Sequence, residues 1–355
     1  MNTSKIHLRG PGQLAEFLPF LVHHRPEDSI VVHHSTGAEF IEGATMTVPL
    51  PEDPATWTVV ADTFAQHVID ILSKRGHALN TITVYLCRDT RPGQTADHIA
   101  DLLRPAADRI ASILKNHGAK IQETIGLVND RWWAYECLQP NCCAGERLPA
   151  LDDPNSLTTE LLRRGLTPGR RTSEIASEFR PTATNATRYR QALDAVAADL
   201  QEQTLTRLGK TLTRNGTAKI LAGALKDFRN GNTQLPDEIA ARLILGLQDN
   251  KARDQALAYS EDDDLPHARQ LWAHLARRCV PPHTDKAPPL LTLLGWIAWR
   301  QGDTITARIA FKDALTTDVD YRMADILHHT INCGTDPEQL LDLFRTVGCE
   351  QPVED

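Results

Sequence analysis

Three cysteines within seven positions, Cys137, Cys142 and Cys143, are the side chains best suited to hold a metal. Zinc takes thiolate ligands, and the intervening Gln139-Pro140-Asn141 turn could fold two thiols toward one ion. A fourth ligand would come from elsewhere, with His98, His117 and Cys87 as the options. The spacing argues the other way. Structural zinc sites pair one CxxC with a second CxxC or a spaced histidine pair, and adjacent cysteines point their side chains apart. The expected role is therefore three small apolar side chains sealing a loop beneath Trp132 and Trp133. The expectation is no cofactor, with zinc at Cys137, Cys142 and Cys143 as the alternative.

Histidines form a second group, His23-His24 and His33-His34, around Asp28-Ser29. Neighbours on a strand face opposite sides, so at most one of each pair can reach a common site. The expected role is polar decoration of an exposed strand end. No GxSxG elbow presents a serine. No GxxxxGK[ST] occurs, and no GxGxxG follows a strand. Arg9-Gly10-Pro11-Gly12 is a glycine-bearing loop without a preceding strand, a weak anion site. The acidic run Glu261-Asp262-Asp263-Asp264 lacks the spaced ligands and central glycine of a calcium loop.

The chain has 355 residues, 24% charged and 41% hydrophobic, enough to bury a core in two domains. A net charge of −8 opposes generic nucleic-acid binding, which needs a positive field. Residues 160–190 are locally basic, with seven arginines against three glutamates. They are expected to pair with acidic surface; contact with nucleic acid through Arg163, Arg164, Arg170, Arg171, Arg180, Arg188 and Arg190 is the weaker alternative. No apolar run reaches membrane-spanning length, so no membrane partner is expected. Seven cysteines, an odd number, fit a reducing compartment, and a cytoplasmic location is expected.

The elements that must position any site follow from periodicity. Residues 29–34 and 39–50 are β-rich and flank a turn, which predicts a hairpin. Residues 54–75 carry a helical apolar face closed by Gly76. Residues 81–87 (TITVYLC) read as a central strand, 95–117 as a helix closed by Gly118, 120–128 as another strand, and 131–137 as one more with Trp132 and Trp133 on opposite sides. The order strand, helix, strand, helix, strand predicts an α/β N-terminal domain with a mixed or parallel sheet and crossover helices over 1–155. A basic helical linker over 156–185 and an all-α domain over 186–355 follow. Asn215-Gly216 and Asn230-Gly231 are expected to punctuate the helices.

Within the helical half one hairpin is written twice. Ala268 to Ala307 and Trp272 to Phe311 are each 39 residues apart, and Leu294-Gly295 with Gly302-Asp303 completes the clearer copy. Small residues let two helices approach and a large one fills the groove to the next pair, so this copy resembles the tetratricopeptide consensus. Other blocks resemble an actinobacterial family, domain of unknown function 4192. They are Arg9-Gly10-Pro11, Leu18-Pro19-Phe20-Leu21-Val22, Pro26-Glu27-Asp28-Ser29-Ile30-Val31-Val32, Arg131-Trp132-Trp133, the Cys137, Cys142, Cys143 cluster with Gly145, and residues 291–314. His23-His24-Arg25 and Ala144 depart from that pattern. The resemblance implies a cytoplasmic protein and carries no reaction, substrate or cofactor.

The leading expectation is a protein-interaction or regulatory scaffold, more a binding module than an enzyme. Trp296 and Trp299, three apart on one helix face, and Trp272 read first as core between hairpins; the alternative is an aromatic groove at Trp272, Trp296 and Trp299 on which the protein partner would dock. The alternative is an enzyme or ligand sensor with its site at the strand C-terminal edge, where open α/β sheets bind ligands. The loops after Cys87 and Val128 would then join Arg88, Asp89, Arg91 and Asn129.

Overall fold

The computed structural model describes residues 8–36, 43–137, 144–150, 152–258 and 262–349. The chain divides into two compact units, Met1–Thr172 and Ser173–Asp355.

The first unit opens with α1 (Gly10–Leu21), whose Pro19 is tolerated inside the helix. A six-stranded sheet follows, in the order β2-β1-β3-β4-β5-β6. Its strands are β1 (Ser29–Ser35), β2 (Gly43–Pro49), β3 (Thr81–Cys87), β4 (Lys120–Val128), β5 (Arg131–Ala134) and β6 (Ala144–Arg147). β1 pairs antiparallel with both β2 and β3, while β3 and β4 are parallel. A parallel pair needs a long crossover, and α3 (Ala96–Asn116) supplies it between β3 and β4. The sheet is therefore mixed, with the expected hairpin at β1–β2.

Strand alternation sorts the core into two layers. Ile30, Val32, Ile82, Val84, Leu86 and Trp133 pack with α2 (Trp57–Lys74) and α3. Val31, Tyr85, Ile125 and Trp132 pack with Leu14, Ala15 and Leu18 of α1. Trp132 and Trp133 thus serve opposite faces. Thr95 caps α3 by accepting the His98 N–H at 3.3 Å. α4 (Leu157–Arg163) closes the unit, its Thr158 N–H donating to the buried Glu16 carboxylate at 2.5 Å.

The second unit is almost wholly helical: α5 (Thr172–Ser177), α6 (Ala186–Gln203), α7 (Arg207–Arg229), α8 (Asp237–Gly246), α9 (Asn250–Ala258), α10 (Leu265–Ala276), α11 (Ala287–Arg300), α12 (Thr304–Thr317), α13 (Arg322–Asn332) and α14 (Pro337–Cys349). The helix break expected at Asn215-Gly216 lies earlier, between Gln203 and Arg207. Thr206 caps α7 by accepting the Gly209 N–H at 3.0 Å. A Cβ at Gly209 would sit 1.8 Å from the Gln203 carbonyl oxygen, so this corner requires a glycine. Gly216 meets nothing within 4 Å and continues the helix. Helix α11 is buried from Ala287 through Trp299, an all-round apolar helix running through the core. Gly295 on α11 lies against the Phe311 ring on α12, and Ala268 and Ala307 are fully buried.

His274 on α10 meets Phe228 edge-on at 5.8 Å, and its buried Nε2 has no hydrogen-bond partner among the described residues. Burial, reinforced by Arg278 and Arg277, pulls its pKa down to about 4. In the unfolded chain the ring takes up a proton near the ordinary value of about 6.5. Above that pH both states are neutral and nothing changes. As pH falls from about 6.5 to 4 only the unfolded chain gains the proton, so stability drops, by about 2 kcal/mol once partial solvent exposure is allowed for. Denaturant midpoints at pH 7 and pH 4.5 should fall less for His274→Gln than for the parent. An equal fall would acquit His274.

Candidate functional site

The sheet brings three chain segments to one edge. Strands β3 and β4 end there at Cys87 and Val128, and β1, running the other way, begins there with Ser29 opposite Cys87. The Arg88 guanidinium, 5% exposed, lies under this edge. Its Nη1 is 3.3 Å from Asp28 Oδ1 and donates to the Pro51 carbonyl at 3.3 Å; Nη2 donates to the Glu52 carbonyl at 3.4 Å. The group sits 5.4 Å from the Trp57 ring centroid, a cation–π distance. Arg91 grips the other Asp28 oxygen at 3.0 Å.

A second knot lies beside the first. Arg171 Nη1 contacts Asp89 Oδ2 at 2.8 Å and Glu27 Oε1 at 3.2 Å, and the Thr172 hydroxyl donates to Glu27 Oε2 at 2.7 Å. Burial opposes the Arg171 charge, but these carboxylates outweigh it and hold the guanidinium above its usual pKa. Residues 169–172 are laid along residues 23–28. The Arg25 N–H donates to the Arg170 carbonyl at 2.9 Å, and a Cβ at Gly169 would fall 2.1 Å from the His23 carbonyl oxygen. Asn129 turns toward Thr90, accepting its N–H at 3.0 Å. Asp28 (φ +43°) and Asn129 (φ +56°) both hold left-handed backbone, which short polar side chains tolerate best.

Arg88, Asp89, Arg91 and Asn129 therefore do gather on one edge, but their charges face Asp28 and Arg171 of the same unit. Glu27, Arg171 and Trp57 complete the arrangement; Arg171 was expected to meet acidic surface, but the sequence placed none of the three at this edge. Burial drives the Cys87 thiol above its ordinary pKa, with Asp89 adding to the effect, which disfavours the reactive thiolate.

The other expected sites fall elsewhere. His33 and His34 are buried, not exposed, because β1 is an interior strand of the sheet. His33 Nδ1 bonds Thr45 Oγ1 at 2.9 Å and His34 Nε2 lies 2.9 Å from the Ala78 carbonyl. Cys137 packs at the margin of the α1-side core; Cys142 and Cys143 lie outside the described residues. Among the described residues no group of three His, Cys, Asp or Glu is placed to hold a metal. Trp272, Trp296 and Trp299 are 1%, 0% and 4% exposed, which corrects their assignment to a docking surface. Trp272 packs into the core from α10, and Trp296 and Trp299 pack inward because α11 is enclosed on every side: Trp296 donates to the Leu257 carbonyl at 3.0 Å and stacks edge-on with Trp299 and Phe344.

Exposed apolar surface occurs instead at the α6–α7 corner. Leu205, Leu208 and Leu212 are 79%, 69% and 61% exposed. Beside them opens a groove of about 380 Å³ lined by Leu200, Gly209, Leu212, Thr213 and Ile220. The spacing of three and four residues could have revealed it, but a helix drawn straight through the Gln203–Arg207 corner hides the stripe. The basic segment is largely committed: Arg164 pairs with Glu160, Arg171 as above, Arg180 with Asp313 at 2.7 Å and Arg188 with Asp237 at 2.5 Å. No helix among the described residues is long and apolar enough to cross a membrane.

Fold and edge together define a two-unit protein, a mixed α/β sheet unit followed by a helical one, whose strand-edge charges are internally paired. The chain belongs to the family described as a domain of unknown function (DUF4192), which it matches over residues 11–338. Comparison with curated proteins gave no match, and comparison with solved structures gave none.

Proposed function

We propose that the protein is a cytoplasmic protein-binding or regulatory module that docks its partner on the helical unit. The observation that supports this is the leucine corner at α6–α7. Three leucines within eight positions hold most of their surface in water, and exposed apolar surface of this kind on folded proteins marks interaction sites. In this reading α11–α12 is the tetratricopeptide-like hairpin, and α10 packs against α11 beside it. They supply the rigid stack, and α6–α7 supplies the contact. Enzymatic chemistry finds less support, since the strand-edge carboxylates and guanidiniums pair with one another and burial disfavours the Cys87 thiolate.

The full-length chain and a Leu208→Ser/Leu212→Ser variant should be compared as baits in the native cell. Both side chains face solvent, so the variant should melt like the parent. The partner captured by the parent should be lost from the variant. Retention of that partner would move the docking surface elsewhere.

A second reading, an anionic small ligand at the sheet edge, has one observation in its favour: the buried Arg88 Nε has no hydrogen-bond partner among the described residues. A thermal upshift with an added anion, absent in Arg88→Met, would support it.

A further inference from the structure

The exposed face of α7 carries more information than its leucines. Residues at alternating steps of three and four run along it, Leu208, Leu212, Asn215, Lys219, Ala222 and Lys226, and Leu205 stands on the turn just before the helix. All seven are exposed. This is the seam spacing of a helix that packs lengthwise against another helix, yet the core of the unit lies on the opposite side, at Thr217, Ala224, Leu225 and Phe228. The seam is also graded. Its first half is leucine and its second half turns to lysine. Helix α7 carries Arg207, Lys210, Arg214, Lys219, Lys226 and Arg229, against the single acid Asp227, in a chain whose net charge is −8. Arg214 is neutralised by Asp249 at 2.8 Å; Lys219 and Lys226 form no ion pair among the described residues.

We propose that this face docks one amphipathic, acidic helix of a partner protein. Its apolar residues lie on Leu205, Leu208 and Leu212, one side chain entering the groove beside Leu212, and its carboxylates lie about two to four turns along, on Lys219 and Lys226. Charge complementarity selects this occupant. A second copy of α7 laid parallel sets lysine on lysine, and laid antiparallel sets lysine on leucine, so neither pairing satisfies the seam. An acidic helix pairs both halves and gains specificity from the lysine end, since like charges there are repelled. This inference rests on the docking reading above and adds to it the chemistry and register of the partner.

Three synthetic peptides of about 20 residues test it, each with leucines spaced to meet the leucine half. They differ at the positions facing Lys219 and Lys226, which hold glutamate, glutamine or lysine. Titrated against the full-length chain, the glutamate peptide should bind about tenfold tighter than the glutamine one, the lysine peptide weakest, and the preference should shrink in high salt. Lys219→Glu/Lys226→Glu should reverse the order, and Leu208→Ser/Leu212→Ser should abolish binding of all three. Equal binding of the three peptides, an unreversed order, stronger binding to phosphatidylserine vesicles than to the glutamate peptide, or a concentration-dependent dimer lost in the leucine variant would each overturn the acidic-helix proposal. Those results leave the docking reading standing if the native partner still depends on the leucines. Loss of that dependence removes the docking reading itself.

Discussion

Replacing Arg88 by alanine should destabilise the first unit by about 3 kcal/mol, more than any other single change at the sheet edge. Three attachments go at once. Asp28 loses the guanidinium 3.3 Å from its buried oxygen, the Pro51 and Glu52 carbonyls lose their donor, and Trp57 loses the cation on its ring. Asp28 is about one-third exposed and keeps Arg91, which holds the cost below that of a fully enclosed pair. Arg88→Lys should fall between parent and alanine, because an ammonium keeps the charge but cannot span two carbonyls and a carboxylate in one plane. Asp89→Asn should cost under about 1 kcal/mol, since Arg171 retains Glu27 and both partners are partly solvated. Urea midpoints with unchanged slopes give the comparison. If Arg88→Ala melts with Asp89→Asn, the buried guanidinium is not what ties β1, β3 and the residues before α2 together.

Local signals made the sheet unit legible. The TITVYLC run is β3 to the residue, and Thr95 and Gly118 bracket α3 as its cap and stop. The doubled tryptophan served both faces of the sheet because alternation leaves no other choice. Position along the edge was legible too, since the ends of β3 and β4 must lie together once the strands are parallel. What filled that edge was not. Arg171 reaches Asp89 across 82 residues and Glu27 across 144, and no local pattern encodes such a meeting. The unit boundary was displaced for a similar reason. Ile175, Ala176 and Phe179 sit in a segment that reads as a polar strap, yet all three are buried in the helical core. A fragment starting at residue 186 would leave that core open. Three-residue spacing put Trp296 and Trp299 on one helix face and left core and docking groove both open, because it says nothing about whether the face meets water. Only the enclosure of α11 on all sides decides it.

Gly295→Val should be the most damaging change in the helical unit, costing about 3 kcal/mol or more. Even the first added carbon has no room. A Cβ at Gly295 would lie 2.5 Å from Phe311 Cε1 and 2.7 Å from Cδ1, and that ring is itself fully buried, with nowhere to turn. Gly295→Ala is the sharper test because two effects oppose. Alanine favours a helix over glycine by about 1 kcal/mol, so propensity alone predicts a gain. The clash with Phe311 predicts a loss, and overpacking of this severity is the larger effect. Gly223→Ala on α7 makes the same chemical change where nothing lies within 4 Å, and it should stabilise by up to about 1 kcal/mol. Ala307→Leu, on the partner helix of the same hairpin, should cost about 1–3 kcal/mol by the same overpacking. Opposite signs for the two glycine-to-alanine changes, read as shifts in denaturant midpoint, would show that α11 and α12 approach closely because residue 295 has no side chain. If Gly295→Ala stabilises as Gly223→Ala does, the helices have slack, and the small residue there is no condition of the hairpin.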